Sequence, residues 1–217
     1  MTRVKFLFDK EKDLMNHWHK SNWKSSWTNF QIHPKIKDIC EGKKFKECKE
    51  NLSKYLSKLQ NSKIISINIE SVEKAWREIE SEFFKRMDNL MEKKFDKNIF
   101  AYLTTVGICP YDLDEPSFMF SLFYSLPKSL QTCCHEIMHL YFHKFYWDKI
   151  ETKLGKEKTG DLKEALTVLL NLEFKDLLFV EDKGYEIHKE LRNFIVDEWK
   201  KEKDFETLLK KCVGYLR

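Results

Sequence analysis

Residues 133–143, CCHEIMHLYFH, constrain this chain more than any other stretch. Apolar side chains at Ile137, Met138, Leu140, Tyr141 and Phe142 surround a His-Glu-x-x-His pattern, and Pro127 upstream is placed to open a helix. Residues four apart share one helical face, so His135 and His139 can point both imidazoles at a single ion. Glu136 is turned about 100° from His135, which keeps it beside such an ion without making it a ligand. There it can take a proton from an attacking water. The three residues together predict a zinc site with its own general base.

The rest of the sequence predicts a helix-rich globular protein. Only 6 of 217 residues are Gly and 4 are Pro, while 42% are hydrophobic and 34% charged, which suits one catalytic unit of moderate size. The 39 basic and 35 acidic residues are interspersed, with a net charge of +4, so no basic arm points to nucleic acid. The apolar run Phe6, Leu7, Phe8 is too short for a signal-peptide core, and no run approaches a membrane span. Cys40, Cys48, Cys109, Cys133, Cys134 and Cys212 lack C-x-x-C spacing and suit free thiols in a reducing compartment. A cytoplasmic protein without a nucleic-acid or membrane partner is the expectation.

Residues 1–60 read as a Lys-rich helical N-terminal extension with turns at His33-Pro34 and Gly42. Its Trp18, Trp23 and Trp27 are expected to pack between helices. His17 and His19, two apart, do not share a face for a metal. Residues 61–217 are expected to form an α+β domain. KIISINIE (63–70) is its first strand candidate. An amphipathic helix follows with Val72, Trp76, Ile79, Phe83, Met87 and Leu90 on one stripe. Strands at 99–108 and 117–126, separated by CPYDLDEP, lead into the motif helix. A leucine-rich helix over about 161–180, a break at Gly184 and a C-terminal helix with Leu191, Ile195, Trp199 and Leu208 complete the chain.

The motif in this setting resembles the zincin metallopeptidases, whose HExxH helix follows the substrate-binding edge strand of a small twisted sheet. The likeness covers roughly the C-terminal two-thirds of the chain. It implies a zincin-like fold, with a small twisted mixed sheet packed on the HExxH helix between helical N-terminal and C-terminal regions. It further implies a zinc metallopeptidase acting on a peptide or protein substrate, with Zn2+ as cofactor and residues 117–126 as the strand that pairs with extended substrate.

The third ligand separates the branches of that family. The sequence after His139 is LYFHKFYW, without the glycine and histidine of the metzincin pattern HExxHxxGxxH. KEALTV (163–168) resembles the E-A-apolar-Ser/Thr segment of the gluzincins, the thermolysin-like clan, and makes Glu164, 25 residues beyond His139, the implied ligand. Glu173 stays open as the alternative. Asp161 and Glu164 have the spacing of a capping pair, and a helical wheel puts Glu173, not Glu164, within the stripe of Leu162, Leu166 and Leu169. The family's aspartate four residues after the glutamate is Val168 here, so Thr167 or Asn171 is the candidate partner for a zinc histidine.

His143 matches the HExxHxxxH spacing of small metallopeptidases that cleave phage repressors. A supporting role is favoured for it, because each four-residue step turns about 40° away from the ion. Peptide hydrolysis also needs a donor to the oxyanion, for which Tyr185 and His188 in GYEIH are the candidates. The alternative functions are a regulatory protease of that repressor-cleaving type and a non-catalytic zincin-like binding module.

Overall fold

The computed structural model describes residues 2–23 and 32–217, so Trp27 lies outside the described residues. In chain order the elements are β1 (Val4–Leu7), α1 (Lys10–Asn22), α2 (Pro34–Cys40), α3 (Phe45–Gln60), α4 (Lys63–Leu90), β2 (Ile99–Thr104), β3 (Tyr111–Asp112) and β4 (Ser117–Ser121). They continue as α5 (Leu126–Phe145), α6 (Trp147–Leu154), α7 (Lys156–Leu166), α8 (Val168–Glu173), α9 (Lys189–Lys201) and α10 (Phe205–Leu216). The fold is mixed α+β, with a small four-stranded sheet in the order β1-β2-β4-β3. β1, β2 and β4 run parallel, and β3 is antiparallel at one edge.

The sheet's inner members explain its position. In β2, Ile99, Ala101 and Leu103 are fully buried, and in β4 Phe118 and Phe120 are, as expected of parallel strands covered on both faces. β1 alternates inward Val4 and Phe6 with outward Lys5 and Leu7. It comes from the segment expected to be a helical extension. Four residues of alternation among lysines are too short to stand out in a sequence, and pairing with β2 decides the matter. The same N-terminal region is tied to the end of β2 through buried Asp13 on α1. Asp13 accepts from Thr104 Oγ1 at 2.8 Å, Thr105 N at 2.7 Å and Thr105 Oγ1 at 2.7 Å. α1, α2 and α3 enclose a small core of their own around Leu14, Ile36, Cys48 and Leu52.

The expected strand at 63–70 is instead the start of α4, a 28-residue helix capped by Ser62, whose side chain accepts from Ile64 N. Ile65 continues the stripe of Val72, Trp76, Phe83, Met87 and Leu90 into the core, while Ile67 is 53% exposed. β-branched residues lose only a few tenths of a kcal/mol each in a helix. A capped stripe packed over seven turns outweighs that preference.

The leucine-rich segment also departs from expectation. It forms two short helices, α7 and α8, joined at Thr167 and ending at Glu173. α7 starts at Lys156 after Gly155, whose φ of 78° suits glycine. Asp161 is therefore inside the helix and is not its cap.

α5 is the central helix. Ser125 caps it by accepting from Lys128 N, Pro127 sits in its first turn, and it is buried almost continuously from Ser129 to Phe142 against α4 and β4. All six cysteines are free thiols. Among the described residues no helix is long and apolar enough to cross a membrane. Trp18 packs on Phe45 with ring centroids 5.8 Å apart. Trp23 does not pack between helices as expected: it is 41% exposed and lines the cavities described next.

Candidate metal centre

The four-residue spacing on α5 brings the His135 and His139 rings to 4.3 Å between centroids. Glu164 approaches from α7, with Oε2 3.5 Å from His135 Nε2 and 3.3 Å from His139 Nε2. One donor atom from each residue lies within 4.8 Å of the others. His139 is 2% exposed, and neither of its ring nitrogens makes a hydrogen bond with the described residues. Burial pushes its pKa down to about 3. A bare, buried, neutral imidazole is costly unless something occupies its lone pair. Two imidazole nitrogens and a carboxylate oxygen with one side open match a catalytic zinc site in number and type. These donors therefore fit a divalent metal ion, and imidazole-rich sets also accept other transition metals.

His135 is oriented from behind. Its Nδ1 lies 2.6 Å from Asp182 Oδ2, which directs Nε2 at Glu164 and the open site. Burial alone would lower the pKa of His135, but the Asp182 carboxylate outweighs it and carries the value up to about 10. Asp182 is held by several donors. Gln131 Nε2 reaches Oδ2 at 2.7 Å, while Thr167 Oγ1 at 2.8 Å and Arg192 Nη1 at 3.1 Å reach Oδ1. Asn171 Oδ1 accepts from Asp182 N at 2.8 Å, and its Nδ2 donates to Asp182 O at 2.9 Å. Thr167 and Asn171, expected to support a histidine directly, support Asp182 instead. Asp182 has no sequence signal, because it sits in a non-helical connection with no period to read.

Gly184 closes this arrangement. Its φ is 63°, and an added Cβ would lie 2.6 Å from Arg192 Nη1. Gly184→Ala is expected to lower stability by roughly 1–3 kcal/mol, through left-handed strain plus displacement of a buried guanidinium. A thermal melt checks this, and an unchanged midpoint would show that Arg192 is not held in place.

Glu164 reaches the site because the second half of α7, Leu162 to Leu166, is buried at every position. The helical wheel assumed that the face opposite Leu162 and Leu166 is wet, but that face meets α5. Glu173 lies outside the group and accepts from Trp199 Nε1 at 2.8 Å and Lys203 Nζ at 2.7 Å. Asp161 bonds His188 Nε2 at 3.0 Å. His143 also lies outside the group: Nε2 is 2.7 Å from Tyr111 Oη, and the ring stacks on Trp147 at 4.1 Å.

Glu136 is 7% exposed, and burial pushes its pKa up to about 7. It lines two cavities, of about 310 and 470 Å3, which share Trp23, Ile108, Cys109, His135 and Tyr185 in their walls. Tyr185 thus faces the same cavities as Glu136, with its phenol pKa raised by burial. His188 does not: it is buried against Asp161 and Tyr185 and lines neither cavity.

The segment beside these cavities is not the expected strand at 117–126. β4 is an inner strand, covered on its outer side by β3 through Tyr111 opposite Phe118 and Asp112 opposite Ser117. Residues 107–111 line the cavities instead. The turn-rich CPYDLDEP obscured this segment, because β3 is only two residues long and carries no alternation. Comparison with known protein families, curated proteins and solved structures returned no match.

Proposed function

We propose that this chain is a zinc-dependent hydrolase of peptide bonds, built on a zincin-like fold and acting on a peptide or protein substrate. One observation carries the reading. Donor atoms of His135, His139 and Glu164, from two helices, converge within 4.8 Å, and buried Glu136 faces the cavities beside them. His135, His139 and Glu164 would hold a zinc ion there, which would supply Lewis acidity to a water and to the substrate carbonyl.

The chain's own residues do the rest. Glu136 takes a proton as the water oxygen bonds to the carbonyl carbon, then delivers it to the amine nitrogen as the carbon–nitrogen bond breaks. Tyr185 donates to the oxygen that gains negative charge. Residues 107–111, in the cavity walls, are the segment against which a substrate peptide would lie. Asp182 holds the Nδ1 side of His135, so Nε2 is the nitrogen that would give up its proton to ligate.

Metal content is the test. Purified protein is expected to hold about one zinc per chain. His139→Ala should lose it, and Glu164→Ala should weaken it strongly. Glu173→Ala should leave metal unchanged and cost only the contacts to Trp199 and Lys203. Metal analysis after dialysis measures all four proteins, and full retention in His139→Ala would refute the ligand set.

A further inference from the structure

Lys163 stands immediately before Glu164, and on an exposed helix it would project into solvent. Here it is 6% exposed. Its Nζ donates to Glu164 Oε1 at 2.6 Å and to Tyr111 Oη at 3.2 Å, and lies 4.8 Å from the centre of the Tyr111 ring. Tyr111 Oη is in turn 2.7 Å from His143 Nε2. Three side chains therefore form a line from the metal group to the edge strand, Glu164, Lys163 and Tyr111, and His143 on α5 closes it.

Burying an ammonium is costly without a paired charge. Its paired carboxylate is the one whose other oxygen faces His135 and His139. The division between the two oxygens has a chemical consequence. A carboxylate with both oxygens available can chelate an ion and fill the position that a reactant needs. A carboxylate with one oxygen committed elsewhere binds through the other alone.

Resting on the metal reading above, we propose that Lys163 is a positioning residue for the metal centre. It holds Oε1 of Glu164, leaves Oε2 as the single ligating oxygen, and is itself anchored by Tyr111 of the edge strand. Metal affinity and coordination number thus depend on two residues that do not touch the metal. Tyr111 also links the segment against which a substrate would lie to the ligand that holds the ion.

The experiment compares the full chain with Lys163→Gln and Tyr111→Phe. Zinc dissociation constants come from competition with a chromophoric chelator, visible spectra from cobalt(II)-loaded protein, and fold from thermal melts of the metal-free forms. Lys163→Gln is expected to tighten zinc about 10-fold, because it frees Oε1 to join the ion and removes a positive charge beside it. Its cobalt band should fall in intensity as Oε1 joins the ion and a four-coordinate site becomes five-coordinate. Tyr111→Phe should shift both readouts in the same direction by less. A folded Lys163→Gln with wild-type affinity and spectrum would overturn the proposal. If that variant does not fold, unchanged affinity and spectrum in Tyr111→Phe overturn it instead. Failure of the wild-type chain to take up zinc or cobalt would refute the metal reading itself, an outcome distinct from equal affinity in wild type and variant.

Discussion

Glu136→Gln is expected to keep metal and fold while losing hydrolysis by a factor of about 10² to 10⁴, the share that a positioned base contributes. Glutamine is nearly isosteric with glutamate, so packing on α5 is a controlled variable. What the substitution removes is the proton acceptor beside the metal group. Cleavage of a peptide library followed by mass spectrometry, with metal analysis and a thermal melt on the same samples, makes the comparison. Equal cleavage by both proteins would refute the role of Glu136. No cleavage by either, with metal bound, would favour a binding module or a protease with one substrate.

Asp182→Ala is expected to damage both stability and metal binding. It leaves Arg192, itself buried, without its carboxylate partner, and strips acceptors from Gln131 and Thr167. Breaking a buried ion pair on one side costs about 3–5 kcal/mol, which for a chain of this length lowers the melting midpoint by roughly 6–20 °C. It also frees the His135 ring to turn or change tautomer, so zinc affinity should fall about 10- to 100-fold. Asp182→Asn keeps the shape and is expected to fall between Ala and wild type in both measurements. A melt and a chelator competition that both match wild type would show that the network around His135 carries no weight.

The sheet shows how far a local pattern reaches. Residues 99–104 and 117–121 stand out because both are largely apolar runs flanked by turns. β1 and β3 are four and two residues long, and only their partners make them strands. The isoleucines of 63–70 mislead for the opposite reason, since their β propensity is real but smaller than the gain from extending a capped, core-facing helix.

The helical period alone determined that His135 and His139 share a face with Glu136 beside them, because positions one and four apart are fixed by 3.6 residues per turn. The apolar flanks of α5 likewise foretold its burial. Tertiary structure decided the remainder. It brought Glu164 to the histidines through a helix whose second half is buried, moved Glu173 onto Trp199 and Lys203, and gave His143 to Tyr111. It also supplied Asp182, 47 residues along the chain from His135. Those contacts join segments whose separation has no period, and a site's third ligand and supporting partners are chosen by which faces pack together.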